Sequence, residues 1–222
     1  MGVPAFAEIE AAAIARHGEA AVAGARPDLG TPLSERTDDR LLAAMARRIF
    51  QAGFNWSVVD AKWPAIEEAF DGFDPARLAM APDEQLDALA ADPRVIRNVP
   101  KIRAIRDNAV LLFRLAREHG RATLHIGGWP ASDQVGLFEY LRAEGSRLGG
   151  LTGPLALRSA GYDAFLLSGS VVAALNRFAV IDGAAASKRA RRAVQDAFNA
   201  WHAETGKGYA HLSRILALSV PD

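Results

Sequence analysis

The chain has no cysteine, which excludes disulfides and thiolate-bound metals and suits a reducing cytosol. Histidine is sparse: His17, His119, His125, His202 and His211 show no paired ligand spacing, so no metal and no cofactor are expected. Long hydrophobic runs are missing too, since no apolar stretch approaches the roughly 20 residues that a membrane span requires. The opening residues, MGVPAFAEIEAAAIARHGEA, carry Glu where a secretory signal carries Lys or Arg. A soluble, cytoplasmic protein without a membrane partner is the expectation. Net charge is also absent, with 26 basic against 26 acidic residues, and such a balance by itself speaks against a nucleic-acid binder.

What is present is unevenly distributed. Residues 1–92 hold 8 Lys/Arg and 16 Asp/Glu, a net of −8, whereas residues 93–222 hold 18 and 10, a net of +8. A chain divided in this way can present a basic face to a polyanion despite its neutral total; accidental clustering, or attraction between the halves, produces the same count. With 222 residues, half of them apolar, the chain is long enough for a core of its own, as one domain or two closely joined halves.

The apolar spacing predicts helices nearly throughout. A first helix is expected from about Val3 to Gly18, followed by a Gly/Pro loop over Gly24 to Pro32. Thr37 reads as an N-cap, with Asp38 and Asp39 in the first turn and Leu41, Leu42, Met45, Ile49 and Phe50 on one face. A helix over about Val58 to Phe70 follows. Asp74-Pro75, Pro82-Asp83, Asp92-Pro93 and Val99-Pro100 then punctuate a run of short helices. One long helix spans Lys101 to His119, a loop spans Arg121 to Ser132, and a helix, Gly-rich turn and helix follow. Another helix is expected over about Val171 to Val180. After a basic cluster at Lys188, Arg189, Arg191 and Arg192 comes a closing helix with Phe198, Trp201 and Tyr209.

The most informative stretch is RRIFQAGFNWSVVDAKW, from Arg47 to Trp63. An amphipathic helix breaks at Gly53, a Trp stands just beyond the break, and a second Trp follows seven residues later. A polar Gln51, an unhindered Gly53 backbone and the flat ring of Trp56 are what a pocket for a planar, polar ring requires. Core packing of the rings is the ordinary alternative.

Three blocks, QAGFNW at Gln51 to Trp56, FDP at Phe73 to Pro75 and VIRNVPKIRAIRDNA at Val95 to Ala109, together resemble the DNA-3-methyladenine glycosylase I family of the helix-hairpin-helix superfamily. The resemblance implies an all-α, two-lobed fold over residues 1–222, with a DNA-binding hairpin at about 145–160. It implies a monofunctional glycosylase that flips an alkylated purine such as 3-methyladenine out of double-stranded DNA and hydrolyses its N-glycosidic bond, acting as a monomer. Gln51, Phe54, Asn55 and Trp56 then correspond to base-binding residues, which accords with stacking and edge hydrogen bonding as the means of holding an extruded base. Arg97 and Lys101, in a basic block with Arg94, Arg103 and Arg106, correspond to DNA-backbone contacts, with Lys101 first because it stands near a helix start. Gly149, Gly150, Leu151, Thr152 and Gly153 correspond to the phosphate-cradling hairpin, although Thr152 takes a place usually held by Gly.

The resemblance also implies carboxylates that this sequence lacks. The family's acid three positions before Gln51 is replaced by Arg48, and the Asp that other superfamily members place one helix beyond the hairpin is replaced by Ser168. Pro154 stands where lyase-type members carry a hairpin Lys, so strand cleavage through a Schiff base is not expected. Asp163 is the nearest remaining acid by sequence, and a turn residue facing solvent is the other way to read it. The family's zinc ligands are absent. A non-catalytic relative that binds damaged DNA is the alternative to an enzyme.

Overall fold

The computed structural model describes residues 3–221. Among these residues are thirteen α-helices and no strand, the all-α class that the apolar spacing predicts. In chain order they are α1 (Phe6–His17), α2 (Glu19–Ala23), α3 (Asp38–Gln51), α4 (Trp56–Ala69), α5 (Pro75–Ala79), α6 (Asp83–Ala91), α7 (Val99–His119), α8 (Ala122–Gly127), α9 (Gln134–Glu144), α10 (Thr152–Ser159), α11 (Gly169–Arg177), α12 (Lys188–Thr205) and α13 (Tyr209–Leu218). The chain forms two compact units, one of residues 1–28, 130–136 and 163–222 and one of residues 29–129 and 137–162.

The second unit is built on α3. Leu41, Leu42, Met45, Ile49 and Phe50 are buried along one side of it, and α4, α7 and α10 pack against it. Full burial of side chains of this size stabilises by about 1.5–3 kcal/mol each before the entropy of ordering is subtracted. Asp38 and Asp39 in the first turn suit the positive end of the helix dipole. The helix stops at Gly53, whose φ of +68° only glycine adopts freely. Asn55 restarts the chain as α4 by accepting from the Ser57 amide at 3.0 Å.

The long helix α7 is capped by Asn98, which accepts from the Lys101 amide at 3.1 Å. Further along α7, the buried Asn108 donates to Ser146 O and accepts from Ser146 N, both at 2.9 Å, and so fixes the turn that joins α9 to α10. In that turn Gly153 lies so close to Leu148 O that an added Cβ would meet it at 2.5 Å.

One expected loop is a helix. Within Arg121 to Ser132, residues Ala122–Gly127 form α8 because Asp38, far upstream, accepts from the Ala122 and Thr123 amides at 3.0 and 2.8 Å. A carboxylate supplied from another element leaves no local trace.

In the first unit, α13 packs against α1, α11 and α12. Trp201 is fully buried, rests against Phe6 and Phe198, and donates its indole N–H to Pro4 O at 2.9 Å. The single closing helix expected here is two, α12 and α13, separated at the left-handed Gly206. No helix of the described residues is long and apolar enough to cross a membrane.

Candidate functional site

The corner between α3 and α4 exposes a group of rings. Trp56 retains 47% of its surface and Phe54 46%, while Gln51, at the end of α3, retains 2%. The indole is therefore not sealed in the core. Trp63 is half-buried: it stacks on Phe73 at 5.5 Å between ring centres, and Phe73 on Phe70 at 4.8 Å.

The polar groups around Trp56 hold one another. Gln51 Nε2 donates to Asp60 Oδ1 at 2.8 Å, and Gln51 Oε1 accepts from Arg48 Nη1 at 2.9 Å. Arg47 donates to the same Asp60 oxygen through Nε at 3.0 Å and Nη2 at 2.8 Å. Arg48 reaches Ser159, at the end of α10, through Nε at 3.1 Å and Nη2 at 2.7 Å. Its guanidinium carbon lies 5.0 Å from the Trp56 ring centre, a cation–π contact worth about 0.5–1 kcal/mol at an exposed site. Burial, followed by the neighbouring charge of Arg47, lowers the Arg48 pKa from its ordinary value, with Asp60 opposing. An arginine nevertheless stays charged.

Asp60 is the site residue that sequence reasoning missed. It stands four positions after Trp56 on α4, which places both on one helix face, and Asp60 Oδ2 has no hydrogen-bond partner among the described residues. The i,i+4 spacing of Trp56 and Asp60 was visible in the sequence. What was not visible is that Arg47 and Gln51 both turn toward that carboxylate.

Other expected site residues are placed differently. Lys101 was expected at a phosphate, but its side chain is buried at 8% exposure, and its ammonium donates to Phe50 O at 2.9 Å and Ala52 O at 2.7 Å. It closes the carbonyl end of α3, where helical partners run out, and burial lowers its pKa, with Arg147 adding to the shift. Asn55 engages its side-chain oxygen with Ser57 as the α4 cap. Asp163 uses both carboxylate oxygens on the start of α13, accepting from the Tyr209 and Ala210 amides at 2.8 Å each. Ser168 caps α11 by accepting from the Val171 amide at 3.3 Å.

The cations divide in the same way. Arg94 pairs with Asp92 and Glu68, and Arg106 with Asp83, whereas Arg97 and Arg103 are exposed without a charged partner among the described residues. Arg147, just before the Gly149 turn, is likewise exposed and has no charged partner among the described residues. In the turn, the Thr152 and Gly153 amides bond internally to Gly149 O and Leu148 O, while the amides of Gly149, Gly150 and Leu151 have no partner among the described residues.

The geometry thus defines an all-α protein whose α3–α4 corner exposes an indole next to a fixed Arg48–Gln51–Asp60 network. The model of the methyladenine glycosylase family matches residues 29–133, most of the second unit and just under half of the chain, which is similar to that family over this stretch. Among solved structures, a mutant of 3-methyladenine DNA glycosylase I from Staphylococcus aureus is similar at a TM-score of 0.52 and 24% identity, over 63% of this chain and 84% of that one. Another 3-methyladenine DNA glycosylase I has a TM-score of 0.46 and 24% identity, over 57% of this chain and 79% of that one. The first of these likenesses supports the helical fold.

Proposed function

We propose that the protein is a monofunctional DNA glycosylase that takes one alkylated purine from duplex DNA into the α3–α4 corner and hydrolyses its N-glycosidic bond. The carrying observation is the half-exposed Trp56 beside the buried Gln51, within the segment that matches the family model. The indole stacks on the extruded base, and stacking of this kind is worth about 1–3 kcal/mol per base. The free amides of Gly149, Gly150 and Leu151, with Arg97, Arg103 and Arg147, meet the phosphodiester backbone around it. Asp60 supplies the negative charge that favours an oxocarbenium-like sugar and orients the attacking water. A single extruded nucleotide requires only a monomer, and the setting is cytoplasmic base excision repair.

A second reading is a non-catalytic protein that binds damaged DNA. It is favoured by the arginine at the position of the family acid, and by the use of Asp163 and Ser168 as helix caps. Incubation with alkylated duplex DNA separates the two. The enzyme releases free methylpurine, 3-methyladenine being the first to assay, leaves abasic sites, and loses both on Trp56→Ala or Asp60→Asn. Tight lesion binding with no release over hours establishes the binder.

A further inference from the structure

Where α3 and α6 begin, the chain places acids in the first turn, Asp38 and Asp39 in one and Asp83 and Glu84 in the other, as the positive end of a helix dipole favours. Helix α12, in the first unit, does the reverse. It opens on Lys188, Arg189, Arg191 and Arg192 with no acid in its first turn, so cations crowd the end of the helix that repels them, and Lys188 and Arg192 repel each other one turn apart. The fold does not need them there. Ser187 caps the helix by accepting from the Ala190 amide at 3.1 Å, and the buried Val194, Ala197, Phe198 and Trp201 seat it in the core. At about 3.6 residues per turn, Lys188, Arg189 and Arg192 fall on the side away from those apolar residues, and all three are exposed. Lys188 and Arg189 have no charged partner among the described residues, and Arg192 has Asp196 at 3.9 Å, a pair with both members in solvent. The half-buried Arg191 turns back to donate to Ala186 O.

Resting on the glycosylase reading for its partner, we propose that this end of α12 is a further contact to the DNA phosphate backbone, made by the first unit and blind to both sequence and damage. Residues 188–192 lie outside the 29–133 stretch that is similar to the methyladenine glycosylase family. Each cation that neutralises a phosphate releases a counterion condensed on the duplex, which is what cations misplaced for the helix itself contribute. Only Ser187 and alanines stand among them, so the contact carries no base readout. An anionic lipid surface offers similar charge, but a helix that lies on one presents apolar side chains to it, and those of α12 are buried.

The experiment measures binding of the full chain to an undamaged duplex as salt rises from about 50 to about 200 mM. Replacing Lys188, Arg189 and Arg192 together by Gln is expected to weaken binding at least tenfold at the low-salt end. The slope of log affinity against log salt becomes shallower by about two, each neutralised phosphate contributing about 0.9. Lys188→Glu alone puts an acid where α3 and α6 have theirs, so it raises the melting temperature while weakening duplex binding several-fold. A purely structural or solubilising role does not move the two in opposite directions. Wild-type affinity and slope in the triple variant overturn the contact, as does a Lys188→Glu protein that gains stability without losing affinity. Loss of binding to phosphatidylglycerol vesicles with duplex binding intact puts the cations at a lipid surface and overturns it as well. If wild type releases no methylpurine yet the slope change is found, the glycosylase reading falls and the phosphate contact stands. Methylpurine release without the slope change is the converse.

Discussion

Asp60 and Asp163 are both carboxylates near a helix start, one in each unit, and they are held in contrasting ways. Asp163 accepts only from backbone amides, at the first turn of α13, with both oxygens used. Asp60 accepts only from side chains, Arg47 and Gln51, with one oxygen unused and an exposed indole on the same helix face. A carboxylate on backbone amides orders a helix. One on side chains beside an open ring is available to a ligand. The same division separates Lys101, on the Phe50 and Ala52 carbonyls, from Arg97 and Arg103, on nothing charged.

The largest expected effect breaks the fold side of this comparison. Lys101→Met leaves two carbonyls at the end of α3 without their donor. Charge-assisted hydrogen bonds are worth about 1.5–3 kcal/mol each, and the burial that lowers the Lys101 pKa offsets part of that, so a loss of about 3 kcal/mol by chemical denaturation is expected. A variant of wild-type stability whose DNA affinity alone has fallen would place Lys101 with the phosphate contacts instead. Next in size, Trp56→Ala tests the ligand side. Lesion-duplex binding should weaken by about 2 kcal/mol, roughly thirtyfold, while stability moves by about 0.5 kcal/mol or less because the ring is half exposed. Asp163→Ala should behave in reverse, costing about 1–2 kcal/mol of stability as a lost helix cap, with base release per folded molecule unchanged. Activity that vanishes while the melting curve stays put would return Asp163 to the chemistry.

These contrasts also mark what the sequence could show. The buried face of α3 was legible because Leu41, Leu42, Met45, Ile49 and Phe50 repeat at a period that only a helix presents to one side. The Gly53 break was legible from the glycine itself, whereas the exposure of Trp56 beyond it was not, since core packing was the ordinary alternative. The roles of Asp38, Asp60, Lys101 and Asp163 were not. Each is decided by a partner brought in by folding: Asp38 by amides 84 and 85 residues away, Lys101 by carbonyls 49 and 51 residues away. A charged residue and its distant partner have no periodicity to betray them, whereas an apolar face does.

The smallest effect concerns a group in the first unit that is neither a cap nor open to a ligand. His211 has a buried Nε2 without a hydrogen-bond partner among the described residues. Burial first, and then the charge of Lys207, lower its pKa from the ordinary value of 6.5, with Arg26 acting in the same direction and Glu10 and the Val22 backbone opposing. A lowered pKa means that the unfolded chain takes up the proton at a higher pH than the folded one. The contribution of the neutral imidazole is therefore present above about pH 6.5 and fades as pH falls through the folded value. His125, in the second unit, is lowered for the same leading reason and slopes the same way, so wild type alone does not assign the effect. His211→Gln and His125→Gln do: each should flatten part of the fall in melting temperature between pH 7 and pH 5, and a His211→Gln curve parallel to wild type would show that this ring can take up its proton without loosening the packing around α13.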